Sequence, residues 1–243
     1  MKSAYIFSRG IKKIPHLSVF LSPDFALTHR LKQADAIIVW GNRSTTKHAR
    51  RVAKIQRLPL IAVEDGFLRS FGLGDTPPLS LCVDDLGIYY DIHTPSRLEK
   101  HILQSHQLSA ETIKQSRQLI DLILQNQLSK YNHAPVFRLP ETPQRRVLVI
   151  DQTYGDVSID GAQADENTFR QMFQAALNEN PQAQIVVKTH PDVLSGKRRG
   201  YLTEIAQKNG VLLLSENANP IDLIGQVDKV YCVSSQMGFE AMM

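Results

Sequence analysis

The sequence predicts an α/β fold built from parallel β-sheets. Short apolar runs rich in β-branched residues alternate with stretches of helical periodicity along the 243-residue chain. The runs are apolar throughout and are separated by helices, which is typical of parallel strands buried on both faces. A hydrophobic content of 42%, with 13 glycines and 12 prolines, is that of a globular protein and excludes a disordered or fibrous chain.

The individual elements follow from these runs in order. Strands are expected at Ala4–Phe7, Ala36–Trp40, Leu60–Val63, Leu81–Val83, Gly87–Tyr90, Val147–Ile150, Ile185–Lys188, Val211–Leu214 and Lys229–Val233. Helices are expected at residues 24–33, 44–57, 97–105, 109–128, 165–179, 199–209, 220–226 and 236–243. This alternation is the pattern of α/β proteins, in which helices cover both faces of a sheet.

A domain boundary is expected near residues 129–146. This stretch contains three prolines and no periodicity, and a new strand–loop–helix series starts at Val147. We therefore expect a Rossmann-like lobe over residues 1–130, a proline-rich linker over 131–146 and a second Rossmann-like lobe over 147–243. Ligands of such lobes bind at the carboxyl ends of the strands.

The charge is unevenly distributed along the chain. Residues 1–60 contain 12 lysines and arginines against two aspartates, so this segment carries +10 while the whole chain carries +4. A basic lobe favours an anionic partner, although a solvated basic helix face would give the same pattern. Nucleic acid is disfavoured as that partner, because no aromatic residues interleave with the basic ones.

Several classes of protein and site are excluded. The apolar runs are strand-sized, whereas a membrane span needs about 18 apolar residues. The apolar run at the N-terminus is too short for a signal peptide, so a cytoplasmic protein is expected. Cys82 and Cys232 are expected to be buried reduced thiols, and the scattered histidines predict no metal site.

Four polar clusters directly follow predicted strands, where α/β enzymes place their working residues. They are Glu64–Ser70, Asp151–Ile159, Lys188–Pro191 and Ser234–Glu240. Each has a structural alternative: a turn at the first two, a structural histidine at the third and a serine N-cap at the fourth. The nearby Gly72-Leu73-Gly74 lacks the third glycine and the helix of a dinucleotide-binding motif.

Taken together, the clusters of the second lobe predict a nucleotide-sugar site. Lys188 and His190 end one strand, and Ser234 and Ser235 end a neighbouring one, so both pairs are expected to converge on a phosphate. Glu216 follows the strand between them in the sequence and is placed to accept hydrogen bonds from a ribose diol.

The same motifs resemble the KpsC/LipA family of capsule polysaccharide β-Kdo transferases. The resemblance starts at Ile14-Pro-His-Leu and Val39-Trp-Gly and runs to the last residue. It rests on Glu64-Asp-Gly-Phe-Leu-Arg-Ser, Pro78-Leu-Ser-Leu, Gly87-Ile-Tyr-Tyr-Asp, Asp151-Gln-Thr-Tyr-Gly-Asp-Val-Ser, Lys188-Thr-His-Pro-Asp-Val-Leu and Ser234-Ser-Gln-Met-Gly-Phe-Glu-Ala.

The resemblance implies a GT-B-like glycosyltransferase that uses CMP-β-Kdo without a metal or other cofactor. His190, Ser234 and Ser235 would bind the CMP phosphate and Glu216 the ribose, with Gln152 and Lys188 also in the nucleotide site. The family retains the β configuration through an adduct on an aspartate, and its pattern aligns that aspartate with Asp156. Asp151 and Asp160 are less favoured candidates.

A retaining transfer also needs a group that deprotonates the incoming hydroxyl. We expect Glu64 of the first lobe as this acid/base and Arg69 as a ligand of a Kdo or acceptor anion. The family's acceptor is a lyso-phosphatidylglycerol-linked Kdo chain, which fits a basic lobe at the surface of the inner membrane. Other capsule assembly proteins are further candidate partners.

Two alternatives to an active transferase remain. The family pattern continues beyond the last residue, so the chain is expected to lack the end of the nucleotide lobe, and it would then be an inactive nucleotide- or glycan-binding module. The other alternative is a nucleic-acid-binding protein that uses the basic segment. Transfer that is lost on Asp156→Ala while CMP binding is retained would favour the enzyme.

Overall fold

The α/β fold predicted from the sequence is confirmed in a computed structural model of the protein. The structure describes residues 1–72, 76–190, 193 and 196–243. It divides into two compact units, Met1–Thr112 and Ile113–Met243, each with its own sheet. Within the described part of the chain, no helix combines the length and apolar character needed to cross a membrane.

The first unit contains a sheet with the strand order β2-β1-β3-β4-β5. The strands are β1 (Lys2–Ile6), β2 (Phe25–Thr28), β3 (Ala36–Trp40), β4 (Leu60–Asp65) and β5 (Leu81–Asp84). All neighbouring pairs are parallel except β4 and β5, which are antiparallel. The helices are α1 (Arg9–Lys12), α2 (Leu17–Leu21), α3 (Lys47–Gln56) and α4 (Arg97–Leu103), with 3₁₀ turns at Leu31–Gln33, Ser44–Thr46 and Ser105–Gln107.

The central strand β3 is buried on both faces, as its continuous apolar sequence predicts. Ile38 lies on one face and packs in a cluster with Ile6 of β1 and Val63 of β4. Ile37 lies on the other face and packs against Ala53 of α3. Because successive side chains of a strand point to opposite faces, an uninterrupted apolar run is what a central parallel strand requires.

Two elements predicted for the first unit are wrong. Residues 24–33 were expected to be helical, but Phe25–Thr28 forms the edge strand β2, which pairs with β1 from Lys2 to Tyr5. Gly87–Tyr90 was expected to be a strand, but the Asp84 side chain accepts hydrogen bonds from the backbone N–H groups of Leu86 and Gly87. This Asx-type turn ends β5 at Asp84, so the chain does not continue as a strand through residues 87–90.

The second unit contains an all-parallel sheet with the strand order β8-β7-β6-β9. The strands are β6 (Arg146–Ile150), β7 (Gln184–Lys188), β8 (Leu212–Leu214) and β9 (Lys229–Tyr231). The helices that follow the first unit's α4 are α5 (Ala110–Gln125), α6 (Val157–Gly161), α7 (Glu166–Glu179), α8 (Thr203–Lys208), α9 (Pro220–Ile224) and α10 (Gln236–Glu240).

Helices cover both faces of the second sheet around β6. Val149 packs in one cluster with Phe169 and Phe173 of α7, and all three side chains are fully buried. Leu148 packs on the opposite face with Leu223 of α9. These large buried side chains fix the sheet, so its carboxyl edge offers a rigid frame for polar loops.

Residues of the proline-rich segment 131–146 are bound to α9 and the residues that follow it. The Asp222 carboxylate accepts a hydrogen bond from Phe137 N at 3.0 Å, and Gln226 bonds both Phe137 O and Leu139 N. Leu139 is also buried in the core of the second unit. This segment is therefore packed as part of the second unit.

Candidate active site

The carboxyl edge of the second sheet gathers polar residues from all four of its strands. Because the strands are parallel, the residues that follow them emerge at the same edge. They are Asp151 and Gln152 after β6, Thr189 and His190 after β7, Ser215 and Glu216 after β8, and Ser234 and Ser235 beyond β9. The sequence predicted that these residues emerge at one edge, but it was wrong to expect β7 and β9 as neighbours, because β6 lies between them. The side-chain contacts show which residues are linked directly.

Gln152, Ser158 and Ser234 form an amide–hydroxyl cluster between β6, α6 and the end of β9. The Gln152 amide nitrogen lies 3.1 Å from Ser234 Oγ and 3.4 Å from Ser158 Oγ. The two hydroxyls are 3.1 Å apart, and Ser234 N donates to Gln152 Oε1 at 3.1 Å. The cluster therefore joins a predicted phosphate ligand, Ser234, to the loop that carries Asp156.

Asp156 is exposed at the start of α6, directly beside the amide–hydroxyl cluster. It is the N-cap of this helix, and its Oδ1 accepts a hydrogen bond from Ser158 N at 2.9 Å. The preceding Gly155 has φ +82°, a left-handed conformation that favours glycine and turns the chain into the helix. An exposed carboxylate with a fixed orientation is accessible to a substrate.

Asp151, five residues earlier, is buried. We call it a clamp because its carboxylate holds three segments of the chain together. Its carboxylate accepts hydrogen bonds from Gln152 N and Thr189 Oγ1 and from the N–H groups of Tyr201 and Leu202, at 2.9–3.1 Å. Burial raises the pKa of this carboxyl, and the hydrogen bonds oppose the rise. Asp151 thus fastens three segments of the edge together, while Asp160 is exposed on α6.

The segment that Asp151 holds also supports the Asp156 loop. Tyr154 N donates to Arg199 O at 2.8 Å, and Thr153 pairs with Gly200 in a β-bridge. The Tyr201 ring stacks on Phe169 of the core with centroids 4.3 Å apart. The loop between β6 and α6 is therefore connected through residues 199–201 to the core of the unit.

Lys188 and Glu216 introduce opposite charges at the ends of β7 and β8. Lys188 Nζ donates to Thr189 O at 2.9 Å. Burial lowers the pKa of this ammonium to about 8, while the attraction of Glu216 opposes the shift. Glu216 is exposed, and its carboxylate accepts Ser215 N at 3.0 Å. His190 is also exposed, whereas Pro191 of the predicted motif lies outside the described residues.

Ser235 is the N-cap of α10 and accepts a hydrogen bond from Met237 N at 3.3 Å. A Cβ at Gly238 would lie 2.1 Å from Cys232 Sγ, so glycine lets this helix approach the end of β9 closely. At its other end, buried Glu240 accepts a hydrogen bond from Ser129 Oγ at 2.7 Å, and burial raises the pKa of its carboxyl. These contacts fix the position of Ser235.

In the first unit, Glu64 lies at the end of β4 and is 8% exposed. Its Oε2 accepts a hydrogen bond from the Tyr90 hydroxyl at 3.3 Å, and that hydroxyl accepts Asn42 N at 3.0 Å. Burial and the neighbouring carboxylate raise the pKa of Tyr90 to about 12. A Cβ at Gly41 would lie 2.6 Å from Glu64 Oε2, so glycine at this position makes room for the carboxylate.

Arg69 is placed inside the segment that follows β4. Its guanidinium forms an ion pair with Asp65 at 2.8 Å and donates to Ser70 Oγ at 2.9 Å and Thr76 O at 3.0 Å. These bonds fasten the two ends of a segment in which Leu73 and Gly74 lie outside the described residues. The geometry gives Arg69 a structural role in this segment, and its predicted binding of an anion stays a prediction.

The predicted residues thus fall into two groups. Gln152, Asp156 and Ser234 are brought together in the second unit, while Glu64 and Arg69 belong to the first unit. Ser158 was not singled out by the sequence, although it stands in the quoted Gly-Asp-Val-Ser motif. Across the part of the chain that the structure describes, no three His, Cys, Asp or Glu side chains are grouped to hold a metal ion.

Sequence comparison identifies relatives along the whole chain. The family model described as capsule polysaccharide biosynthesis protein matches residues 35–142 and 137–243. The capsule polysaccharide modification protein LipA of Neisseria meningitidis serogroup B is 56% identical over the full chain, which covers 35% of LipA. The lipopolysaccharide-processing protein LpsZ of Rhizobium meliloti is 38% identical over 85% of the chain, or 48% of LpsZ. The chain therefore spans about a third of the length of LipA.

Structural comparison identifies two similar solved structures, both of KpsC transferases. The β Kdo 2,4 transferase of Thermosulfurimonas dismutans KpsC matches 99% of this chain and 77% of its own, with a TM-score of 0.88 and 46% identity. The β Kdo 2,7 transferase of the same protein matches 99% of this chain with a TM-score of 0.64 and 24% identity, which is a likeness of fold. The match to the 2,4 transferase confirms the GT-B-like fold expected from the motifs. The chain belongs to the capsule polysaccharide biosynthesis family of KpsC and LipA.

Proposed function

We propose that this protein is a retaining β-Kdo glycosyltransferase of capsule polysaccharide linker biosynthesis. It transfers Kdo from CMP-Kdo onto a lipid-linked, phosphatidylglycerol-type Kdo acceptor. The observation that carries the proposal is the 46% identity, over 99% of the chain, to a structure named as a β Kdo 2,4 transferase. The same likeness supports a 2,4 linkage for the product.

The first chemical step takes place on Asp156. Its carboxylate attacks the anomeric carbon of Kdo, and the bond from that carbon to the CMP phosphate oxygen breaks. The electron pair leaves with CMP, so the negative charge of the carboxylate moves to the phosphate and a glycosyl ester remains on Asp156. The exposed position of Asp156 and its fixed Oδ1 support this role.

The departing CMP is held by residues at the carboxyl edge of the second sheet. Lys188 and His190 neutralise the phosphate, the hydroxyls of Ser234 and Ser235 donate to it, and Glu216 accepts the ribose hydroxyls. Gln152 acts by orienting Ser234, to which it is bonded in the amide–hydroxyl cluster. Cationic side chains supply the charge compensation without a metal, so full activity in the presence of EDTA is expected.

The second step transfers Kdo from Asp156 to an acceptor hydroxyl. Glu64 accepts the proton of that hydroxyl as its oxygen attacks the anomeric carbon, and the ester bond to Asp156 breaks to restore the carboxylate. Two inversions give net retention. The basic segment 1–60 attracts the anionic glycolipid and the inner-membrane surface, so association with anionic vesicles should weaken as salt is raised.

Mass spectrometry of the intact protein tests the proposal. The protein is incubated with CMP-Kdo, with and without a synthetic Kdo-lipid acceptor. We expect one added Kdo on the peptide that contains Asp156 and, with acceptor present, an elongated product. Asp156→Ala should lose both signals by at least about a thousandfold while it still binds CMP. If the wild type gives neither adduct nor product, or Asp156→Ala retains full activity, the proposed chemistry is wrong.

A further inference from the structure

We propose that Ser158 is a positioning residue that joins the attacking carboxylate to the ligand of the leaving phosphate. This inference rests on the proposed function of Asp156 and Ser234. Ser158 uses two different groups for the two contacts. Its backbone N–H donates to Asp156 Oδ1 at 2.9 Å, and its hydroxyl lies 3.1 Å from the hydroxyl of Ser234.

The hydrogens of the amide–hydroxyl cluster can be assigned so that every member is satisfied. The Gln152 amide has two donors, which face Ser158 Oγ and Ser234 Oγ, while its oxygen accepts Ser234 N. A serine hydroxyl has one proton and two acceptor positions. The Ser234 proton is then directed to Gln152 Oε1 at 3.3 Å, and the Ser158 proton to Ser234 Oγ at 3.1 Å.

Binding of a phosphate changes the role of one hydrogen in this arrangement. When Ser234 turns its proton to a phosphate oxygen, Gln152 Oε1 still accepts Ser234 N, so no buried acceptor is left unsatisfied. Ser158 continues to donate to Ser234 Oγ, and this donation polarises the Ser234 hydroxyl and strengthens its bond to the phosphate. The Ser158 hydroxyl thus acts on the phosphate through Ser234.

The backbone contact of Ser158 places the other reacting group. It holds one oxygen of Asp156 at the start of α6, so the carboxylate cannot rotate independently of the residue that supports Ser234. The attack and the departure of CMP need both groups in place at once, because negative charge moves from one to the other. Ser158 therefore sets the relative position of the two ends of this charge transfer.

A double-mutant cycle on the full chain separates this role from a general contribution to folding. Ser158→Ala removes the hydroxyl and retains the N–H on Asp156, so we expect adduct formation in single turnover to slow about tenfold. In the Ser234→Ala background the same change should have less than about a twofold further effect, because its target is gone. Ser158→Thr, which keeps the hydroxyl, should restore most of the rate.

The matched control is Thr168→Ala at the start of α7 in the same unit. Thr168 belongs to a capping box with Asp165, so its loss should reduce stability to a similar degree without slowing adduct formation. Equal slowing by Thr168→Ala, a Ser158→Ala rate equal to wild type, or full additivity with Ser234→Ala would overturn the role of Ser158. Absence of any adduct on the wild-type protein would overturn the proposed function and this inference together.

Discussion

The carboxyl edges of the two sheets hold their acidic side chains in different ways. In the first unit, Glu64 is buried at the end of β4, and its carboxylate accepts a hydrogen bond from the Tyr90 hydroxyl. In the second unit, Asp156 is exposed on a helix start, beside hydroxyls and an amide. A buried acid beside a neutral phenol suits the exchange of a proton, whereas an exposed carboxylate held at one oxygen suits attack on a sugar.

A second contrast lies within one loop of the second unit. Asp151 and Asp156 both follow β6, yet Asp151 is 6% exposed and surrounded by donors while Asp156 is open to solvent. The donors around Asp151 come from three separate segments, which makes this carboxylate a structural centre. Residue type and proximity to the strand end thus do not distinguish the clamp from the candidate nucleophile. Their surroundings do.

The largest effect on folding is expected from Asp151→Asn. The amide would turn two donors toward groups that now donate to the carboxylate, so buried N–H and hydroxyl groups would lose their acceptor. We expect the free energy of unfolding of the second unit to fall by about 3 kcal/mol. Hydrogen exchange of peptides that cover residues 199–203, together with urea denaturation, measures the change.

Asp160→Asn is the control for this experiment, because Asp160 is an exposed carboxylate on α6. Its free energy of unfolding should stay within about 0.5 kcal/mol of wild type. Equal destabilisation by the two variants would show that Asp151 is not the clamp.

Much of the fold could be predicted because its central strands are uniformly apolar. Ala36–Trp40 was predicted with its observed bounds, and Val147–Ile150 lacked only Arg146 of β6. Because such strands are buried on both faces, they appear in the sequence as continuous apolar runs, which a local pattern detects. The edge strand β2 lacked that signal: Leu27 is 39% exposed, and the strand is defined by its pairing with β1, which a local pattern does not show.

The sequence predicted that polar residues after the strands of the second unit meet at one edge, but it did not predict the contacts that distinguish them. Position after a strand selected the clusters that contain Ser234 and Lys188, whereas only the family resemblance favoured Asp156 over Asp151 and Asp160. The clamp role of Asp151 depends on bonds to Tyr201 and Leu202, about 50 residues away. The same limit applies to Ser158, whose bond to Ser234 spans 76 residues. Such roles arise from tertiary contacts, which no local pattern encodes.

The contrast between the two edges is tested directly by Glu64→Gln. The amide keeps an oxygen for the Tyr90 hydroxyl but no longer accepts a proton at physiological pH. Under the proposed mechanism, transfer from an adduct on Asp156 to the acceptor should slow about a hundredfold, while adduct formation changes less than about threefold. Single-turnover mass spectrometry with and without acceptor separates the two rates.

The control for this variant is Glu99→Gln on the exposed helix α4 of the same unit, which should leave both rates unchanged. If Glu64→Gln slowed adduct formation as much as transfer to the acceptor, Glu64 would act in the first step. The proposed separation between proton transfer by Glu64 and attack by Asp156 would then be wrong.

The smallest expected effect is a pH dependence of the affinity for CMP, which arises from Lys188 at the carboxyl edge of the second sheet. Burial lowers the pKa of Lys188 to about 8, so the ammonium that we propose attracts the phosphate is lost as pH rises through that value. Affinity for CMP should fall about tenfold between pH 7 and pH 9.5, with the bend near pH 8, as measured by calorimetry. Lys188→Met should bind more weakly at pH 7 and lack the bend.

Stability must respond to Lys188 in the opposite direction, which separates its charge from a general effect of alkali. In the native state the pKa of Lys188 is about 8, lowered from the ordinary value of 10.5. Between about pH 8 and 10.5 the unfolded chain therefore binds more protons at this site than the native state does. The free energy of unfolding of wild type relative to Lys188→Met should therefore rise with pH in this window. If the affinity for CMP and the relative free energy of unfolding both fell as the pH was raised, the lowered pKa of Lys188 would be contradicted. Opposite slopes would show that burial of the charged lysine lowers the stability of the fold while the same charge favours the binding of CMP.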